Sequence, residues 1–203
     1  MSGSQSQSEG AEVGVLLLAA GRSQRFGEDK RRALLPSGRN LLSESVKRYV
    51  DSGFRVYLCL RGGEEDDALA AQSAQPDVEI LRCKSSDQGM GATLAEGIRA
   101  LPGDMDVIVA LGDMPDIKDS TLKKMRKNFA PSTIVYPMYE AQRGHPVFFG
   151  RRYRQELTCL GGDKGAAEII KRHAAHCIEL DVDDPGVILD VDTPEALTRL
   201  SSR

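Results

Sequence analysis

Short apolar runs alternate with longer amphipathic stretches along this chain. Val13–Ala20 (VGVLLLAA) is continuously apolar and ends at Gly21. A run with no polar face reads as a strand covered on both sides, as in a parallel sheet. Asp106–Leu111 (DVIVAL) repeats the pattern and ends at Gly112-Asp113. Arg55–Leu60, Val78–Leu81, Ser132–Tyr139 and Pro146–Phe149 read as further strands, with short ones at Cys177–Val182 and Val187–Leu189. Leu41–Asp51 carries apolar residues at helical spacing (41, 42, 46 and 50), and Gly53 follows as a stop. Glu64–Gln72 is a polar helix, and Met90–Leu101 puts Leu94, Ile98 and Leu101 on one helical face before Pro102-Gly103. Asp119–Phe129 and Asp163–Ala174 are predicted helices, the second with Asp163 as N-cap. Thr193–Leu200 closes the chain, with Thr193 as N-cap, Pro194 in the first helical position and Glu195 in the first turn. Strands and helices in this order predict an α/β fold: a doubly wound, mostly parallel sheet with right-handed crossovers. Ligands of such sheets bind beyond the carboxyl ends of the strands.

Composition narrows the classes. The chain has 203 residues and a net charge of -3. A polar tail at 1–12, read as disordered, precedes what reads as one domain over 13–203. An acidic balance argues against a sequence-independent nucleic-acid binder. No apolar run is long enough for a membrane helix, and the tail has neither the basic nor the apolar region of a signal peptide. Cys59, Cys83, Cys159 and Cys177 fit no zinc or CxxC spacing, so free thiols in a reducing, cytoplasmic setting are expected.

Candidate chemistry follows the strands. After the first comes Leu18-Ala19-Ala20-Gly21-Arg22-Ser23-Gln24-Arg25-Phe26-Gly27-Glu28-Asp29-Lys30. Small residues allow close backbone approach, successive N–H groups can form an anion nest, and Arg22, Arg25 and Lys30 add three cations within nine residues. This reads as a triphosphate cradle, although it matches neither GxxxxGK[ST] nor GxGxxG. Asp113, at the tip of the second apolar strand, either holds a hard cation or turns the chain before Pro115. Asp190 and Asp192 share one side of an extended segment, so either could complete a metal site with Asp113, while Asp192 or Thr193 could instead cap the last helix. Gln88-Gly89-Met90-Gly91 opens a helix whose N-terminus suits a phosphate or base edge, or is a plain turn. Arg143-Gly144-His145-Pro146 and Leu160-Gly161-Gly162-Asp163-Lys164-Gly165 are individually weak signals.

The combination is more specific than its parts. LAAGRSQRFGEDK, QGMGATL, LGDMP, RGHPVFF, LGGDKGA and DVDTP, in this order, resemble the nucleotidyltransferases of molybdenum cofactor biosynthesis, and more closely their cytidylyltransferase branch. The resemblance runs from about Val13 to Leu200, with Phe26 where the family pattern LAAGxSxRMGxxK has Met. It implies a Rossmann-like, GT-A-like fold, use of Mg²⁺, and transfer of CMP from CTP to the terminal phosphate of molybdopterin with release of pyrophosphate. It also implies roles for single residues. Leu18, Ala19, Ala20, Gly21, Arg22 and Ser23 would line the nucleotide site. Arg25 and Lys30 would hold the triphosphate. Gln88, Gly89 and Gly91 would contact base or ribose. Asp113 would bind the metal with Asp192. Gly144, His145 and Pro146, with Asp163, Lys164 and Gly165, would shape the pterin side. Ala20 stands where the guanylyl branch has Gly, which favours CTP. A molybdenum-dependent dehydrogenase is the implied recipient of the product. The family usually runs from its lysine almost directly into LLP, whereas here Arg31-Arg32-Ala33 intervene, so Lys30 and Arg32 compete for the phosphate-gripping role. GTP or another acceptor, nicotinamide-dependent dye reduction on the same fold, and a non-enzymatic nucleotide sensor are the other readings.

Overall fold

The computed structural model describes residues 12–21, 29–193 and 196–197. Four parallel strands form the body of the sheet: β1 (Val13–Leu18), β2 (Arg55–Arg61), β3 (Val78–Cys83) and β4 (Asp106–Leu111). The other strands are β5 (Ile134–Tyr139), β6 (Gln142–Arg143), β7 (Val147–Phe149) and β8 (Cys177–Asp181). The order is β3-β2-β1-β4-β7-β5-β6, with β8 paired to β5. Among the described strands, β6 and β7 run opposite in direction to the other six. The chain winds outward from β1 through β2 to β3, then returns to β4 on the other side of β1. Strand order therefore reverses between β1 and β4, the crevice where doubly wound sheets take ligands.

Side-chain alternation covers both faces. Val15, Leu17, Val56, Leu58, Leu60, Ile108 and Ala110 point to one face. They pack against α1 (Leu41–Asp51), α2 (Asp67–Ser73) and α4 (Asp119–Arg126). Leu16, Tyr57, Cys59, Val107 and Val109 point the other way. They meet α3 (Met90–Ala100), α5 (Arg154–Thr158) and α6 (Ala167–Arg172). Phe148 and Phe149 are fully buried, one in each layer. The Asn40 side chain caps α1 by accepting from the Ser43 amide at 2.7 Å.

Two sequence expectations change. The helix expected over 163–174 begins only at Ala167, and its N-cap is Ala166 rather than Asp163. Val187–Leu189 is not a strand: the Asp184 side chain accepts from the Gly186 amide and Pro185 opens a one-turn helix, Pro185–Val187. The β5–β6 hairpin carries no sequence signal, because its two-residue turn is Glu140-Ala141 rather than Asn-Gly. Both turn residues adopt positive φ, 48° and 61°. An L residue there costs about 1–2 kcal/mol, partly offset by the entropy a glycine would lose. Ala141→Gly is therefore expected to raise unfolding free energy by roughly 0.5–1 kcal/mol, read by urea denaturation. A loss of stability would contradict this account of the turn. Residues 1–11, and most of the predicted helix over 193–200, lie outside the described residues; Thr193 Oγ1 does accept from the Ala196 amide at 3.2 Å, as a cap would.

Candidate active site

A cleft of about 770 Å³ opens at the carboxyl ends of β1 and β4. Leu18, Ala19, Ala20 and Gly21 form one wall, and Leu111, Gly112 and Asp113 the next. The two strand ends are tied together, since the Gly112 amide donates to the Leu18 carbonyl at 2.9 Å. Gly112 must be small: a Cβ there would lie 2.9 Å from the Ala19 Cβ and 3.0 Å from Leu42 Cδ1. This close approach fixes where Asp113 emerges.

Three chain-distant residues meet at this point. Lys30 Nζ donates to Asp113 Oδ2 at 2.7 Å and to Asp192 Oδ1 at 2.5 Å. Burial alone would lower the Lys30 pKa, but the attraction of Asp113 and Asp192 outweighs it and raises the net value. Asp192 is placed by alternation: Val191 is buried and its amide donates to the Asp113 carbonyl at 3.0 Å, so residues 190 and 192 turn the other way. Asp113, Asp190 and Asp192 each offer an oxygen, all within 4.8 Å of one another. Partial burial and the charges of Asp192 and Asp113 push the Asp190 carboxyl up. Asp113 Oδ1 is buried and has no hydrogen-bond partner among the described residues. An orphaned carboxylate oxygen is costly in such a place. Hard oxygen donors converging on one point fit a divalent cation, with Asp190 as a third candidate ligand beside Asp113 and Asp192.

Lys30, not Arg32, enters the cleft. Arg32 turns outward and donates to the Glu65 carbonyl. Arg31, which sequence reasoning passed over, is only 4% exposed. Its guanidinium grips the fully buried Asp66 with two bonds of 2.6 and 2.7 Å, reaches both oxygens of Asp29, and donates to the Ala19 carbonyl at 2.7 Å. Burial would raise the Asp66 and Asp29 carboxyls, but the Arg31 hydrogen bonds and charge win and hold both below the usual carboxylate range. The extra residues before Leu34-Leu35-Pro36 thus anchor Lys30 from below and clamp the wall at Ala19. Asp66 sits in an acidic stretch whose pattern looks like a solvated face, so only the fold shows its role.

The remaining predicted residues divide. Gln88, Gly89 and Asp163 line the cleft. Gly91 does not; its amide and that of Ala92 donate to the Gly162 carbonyl at 2.8 and 3.3 Å. Those first amides of α3 are therefore occupied by the 161–164 loop. A Cβ on Gly91 would strike the carbonyls of Gly161, Gly162 and Lys164. Lys164 is exposed and pairs with Glu168 at 3.2 Å. Gly144 packs against Val187, and Pro146 is buried beside it. His145 and Gly165 line a smaller recess next to the cleft. His145 Nδ1 is buried without a hydrogen-bond partner among the described residues, and burial lowers the imidazole pKa against the pull of Asp113. Arg22, Ser23 and Arg25 lie outside the described residues.

Comparison with known proteins agrees with this geometry. The MobA-like NTP transferase domain matches residues 15–177. The chain belongs to that family. It is a nucleotidyltransferase of the MobA-like type, with the Rossmann-like α/β fold of that group. A nucleotidyl transferase from Methanothermobacter superposes with a TM-score of 0.81 over 95% of this chain and 97% of that one, at 19% identity, a likeness of fold. Rv0371c of Mycobacterium tuberculosis H37Rv is 28% identical, with a TM-score of 0.80 covering 95% and 99% of the two chains. The same protein has been solved in complex with manganese, at 26% identity and a TM-score of 0.77 over 96% and 100%. Nicotine blue oxidoreductase of Paenarthrobacter nicotinovorans is 25% identical over 91% of this chain and 94% of its own length. A manganese complex of a relative and the acidic trio here both favour a divalent metal. No helix of the described residues is long and apolar enough to cross a membrane, and the four cysteines are free thiols.

Proposed function

We propose that this nucleotidyltransferase moves CMP from CTP to the terminal phosphate of a molybdopterin-type cofactor, releasing pyrophosphate, with Mg²⁺ as the metal. The observation that carries the reading is the meeting of Lys30, Asp113 and Asp192 at the crevice between β1 and β4, beside the small residues Ala19–Gly21. Transfer of a nucleotidyl group asks little covalent chemistry of a protein. An acceptor phosphate oxygen, already ionised at neutral pH, attacks the α-phosphorus, and the bond to the bridging oxygen of pyrophosphate breaks. The tasks are alignment and charge neutralisation. Asp113 and Asp192 would hold the metal, with Asp190 alongside; when bound it supplies Lewis-acid polarisation of phosphate oxygens. Lys30 pairs with Asp113 and Asp192, and its flexible stem would let the ammonium reach the phosphates of a bound nucleotide. Arg25 joins Lys30 in this role. Ala20 lines the cleft at the position where the guanylyl branch has Gly, which supports CTP over GTP.

Pyrophosphate release with CTP, Mg²⁺ and molybdopterin tests the reading. Release with CTP above GTP is expected; no release with any nucleoside triphosphate would overturn it. A second reading, nicotinamide-dependent reduction of a dye, is favoured by the similarity to nicotine blue oxidoreductase over nearly the whole chain. Oxidation of NADPH in the same assay series would select it. The carboxylate trio argues for transfer, since hydride transfer needs no hard-cation site.

A further inference from the structure

A second hollow of about 160 Å³ adjoins the cleft and shares Leu18, Met90 and Leu111 with it. Leu94, Val109, Val147, Phe149 and Ile170 form its floor, all buried in the core layer beneath. Its polar lining is confined to His145 and the exposed Arg143. Two features make it more than a packing gap. Met90, at its junction with the cleft, leaves its side chain 46% exposed, one of few large apolar residues so placed among the described residues. Gly165 leaves room for the Met90 methyl, since a Cβ there would lie 2.9 Å from Met90 Cε. An unbranched, polarisable thioether seated over a small residue suits a surface that packs against a variable apolar group. An apolar cavity of about 150 Å³ holds one benzene, so this recess has room for a single six-membered ring. The heteroatoms of a polar bicyclic ring would exceed both its volume and its two polar partners.

We infer that the recess admits an acceptor class beyond the molybdopterin-type cofactor: phosphate monoesters that carry one compact apolar ring. The inference rests on the reading of the cleft as a site of nucleotidyl transfer. With the ring among Phe149, Val147 and Leu94, its phosphate would face the cleft across the shared residues Leu18, Met90 and Leu111, with Leu111 two residues before Asp113. The step balances without a further reactant. An ionised acceptor oxygen forms a bond to the α-phosphorus, the bond to the bridging oxygen breaks, and pyrophosphate departs with the electron pair.

Phenyl phosphate and methyl phosphate are the probes, titrated by calorimetry into protein preloaded with Mg²⁺ and α,β-methylene-CTP, whose α–β bridge cannot break. Ring burial of this extent should favour phenyl phosphate by about 10–100-fold. Ala167→Phe, at an exposed position on the recess mouth, should bring that ratio down to near unity. Because the ratio is taken within one protein, changes in phosphate binding cancel. A ratio near unity in the unmodified protein, or an unchanged ratio in the variant, overturns the inference while Mg²⁺–CTP binding still stands. A protein that prefers phenyl phosphate but binds no Mg²⁺–CTP contradicts the transfer reading, and the acceptor role falls with it.

Discussion

Asp113→Asn is expected to lower nucleotidyl transfer by about 10²–10³-fold or more while leaving the fold in place. The exchange is isosteric, and Gly112, which sets the position of residue 113, is untouched. What changes is charge. The carboxylate that meets Lys30 on one oxygen, and whose other oxygen is buried with no partner among the described residues, becomes a neutral amide. An amide oxygen is a weak ligand for a hard divalent cation, and the trio with Asp190 and Asp192 loses its most buried member. Steady-state pyrophosphate release, with circular dichroism to confirm folding, measures the effect. Near-normal turnover in a folded Asp113→Asn protein would remove the metal assignment.

Asp66→Ala should produce the largest loss of stability, about 3–5 kcal/mol, as when one partner of a buried ion pair is removed. Asp66 is fully buried and accepts from Arg31 through both oxygens and from the Arg61 amide at 2.9 Å. Its removal leaves the Arg31 guanidinium in the core with only Asp29, among the described residues, for charge compensation. Because Arg31 also holds the Ala19 carbonyl and adjoins Lys30, the nucleotide wall loosens with it. Urea denaturation reads the change, and a loss below about 1 kcal/mol would mean that the cluster is not structural. The same cluster sets a pH dependence. Both carboxyls titrate below their ordinary range in the folded protein. Their contribution is therefore complete above the unfolded value of about pH 4 and is lost as pH falls through the lower folded values. Unmodified protein should lose stability steeply below about pH 4, and Asp66→Ala should lose less over that interval.

Legibility from sequence follows the range of the interaction. β1 and β4 are buried on both faces, so their apolar runs announced strands, and alternation with helices announced a doubly wound, mostly parallel sheet; the strand order that reverses at β1–β4 is set by long-range pairing and shows only in the fold. Lys30, Asp113 and Asp192 stood out as candidates because each lies in a short motif beyond a strand or beside a helix N-cap. Their direct contact did not, since 83 and 162 residues separate the partners. The choice of Lys30 over Arg32 depends on which way a short helical turn faces, and two equally basic neighbours carry no such sign. Arg31 and Asp66 belong to the same class of hidden residue: each looks like a surface charge until tertiary packing closes around both. The glycines at 89 and 91 looked like ligand-binding positions. In the fold, Gly91 serves mainly the close approach of the 161–164 loop to α3, a constraint between two loops that neither loop shows alone.

Thermal unfolding against CTP, GTP, ATP and NADPH, each with and without Mg²⁺, tests most directly whether Lys30, Asp113 and Asp192 form a metal–nucleotide site. A ligand at 100 times its dissociation constant adds about 2.7 kcal/mol to the folded state, a shift of a few degrees for a chain of this length. A shift with CTP that exceeds that with GTP, requires Mg²⁺ and disappears in Asp113→Asn is the predicted result. A shift with NADPH alone, or a CTP shift indifferent to both Mg²⁺ and Asp113, would contradict it.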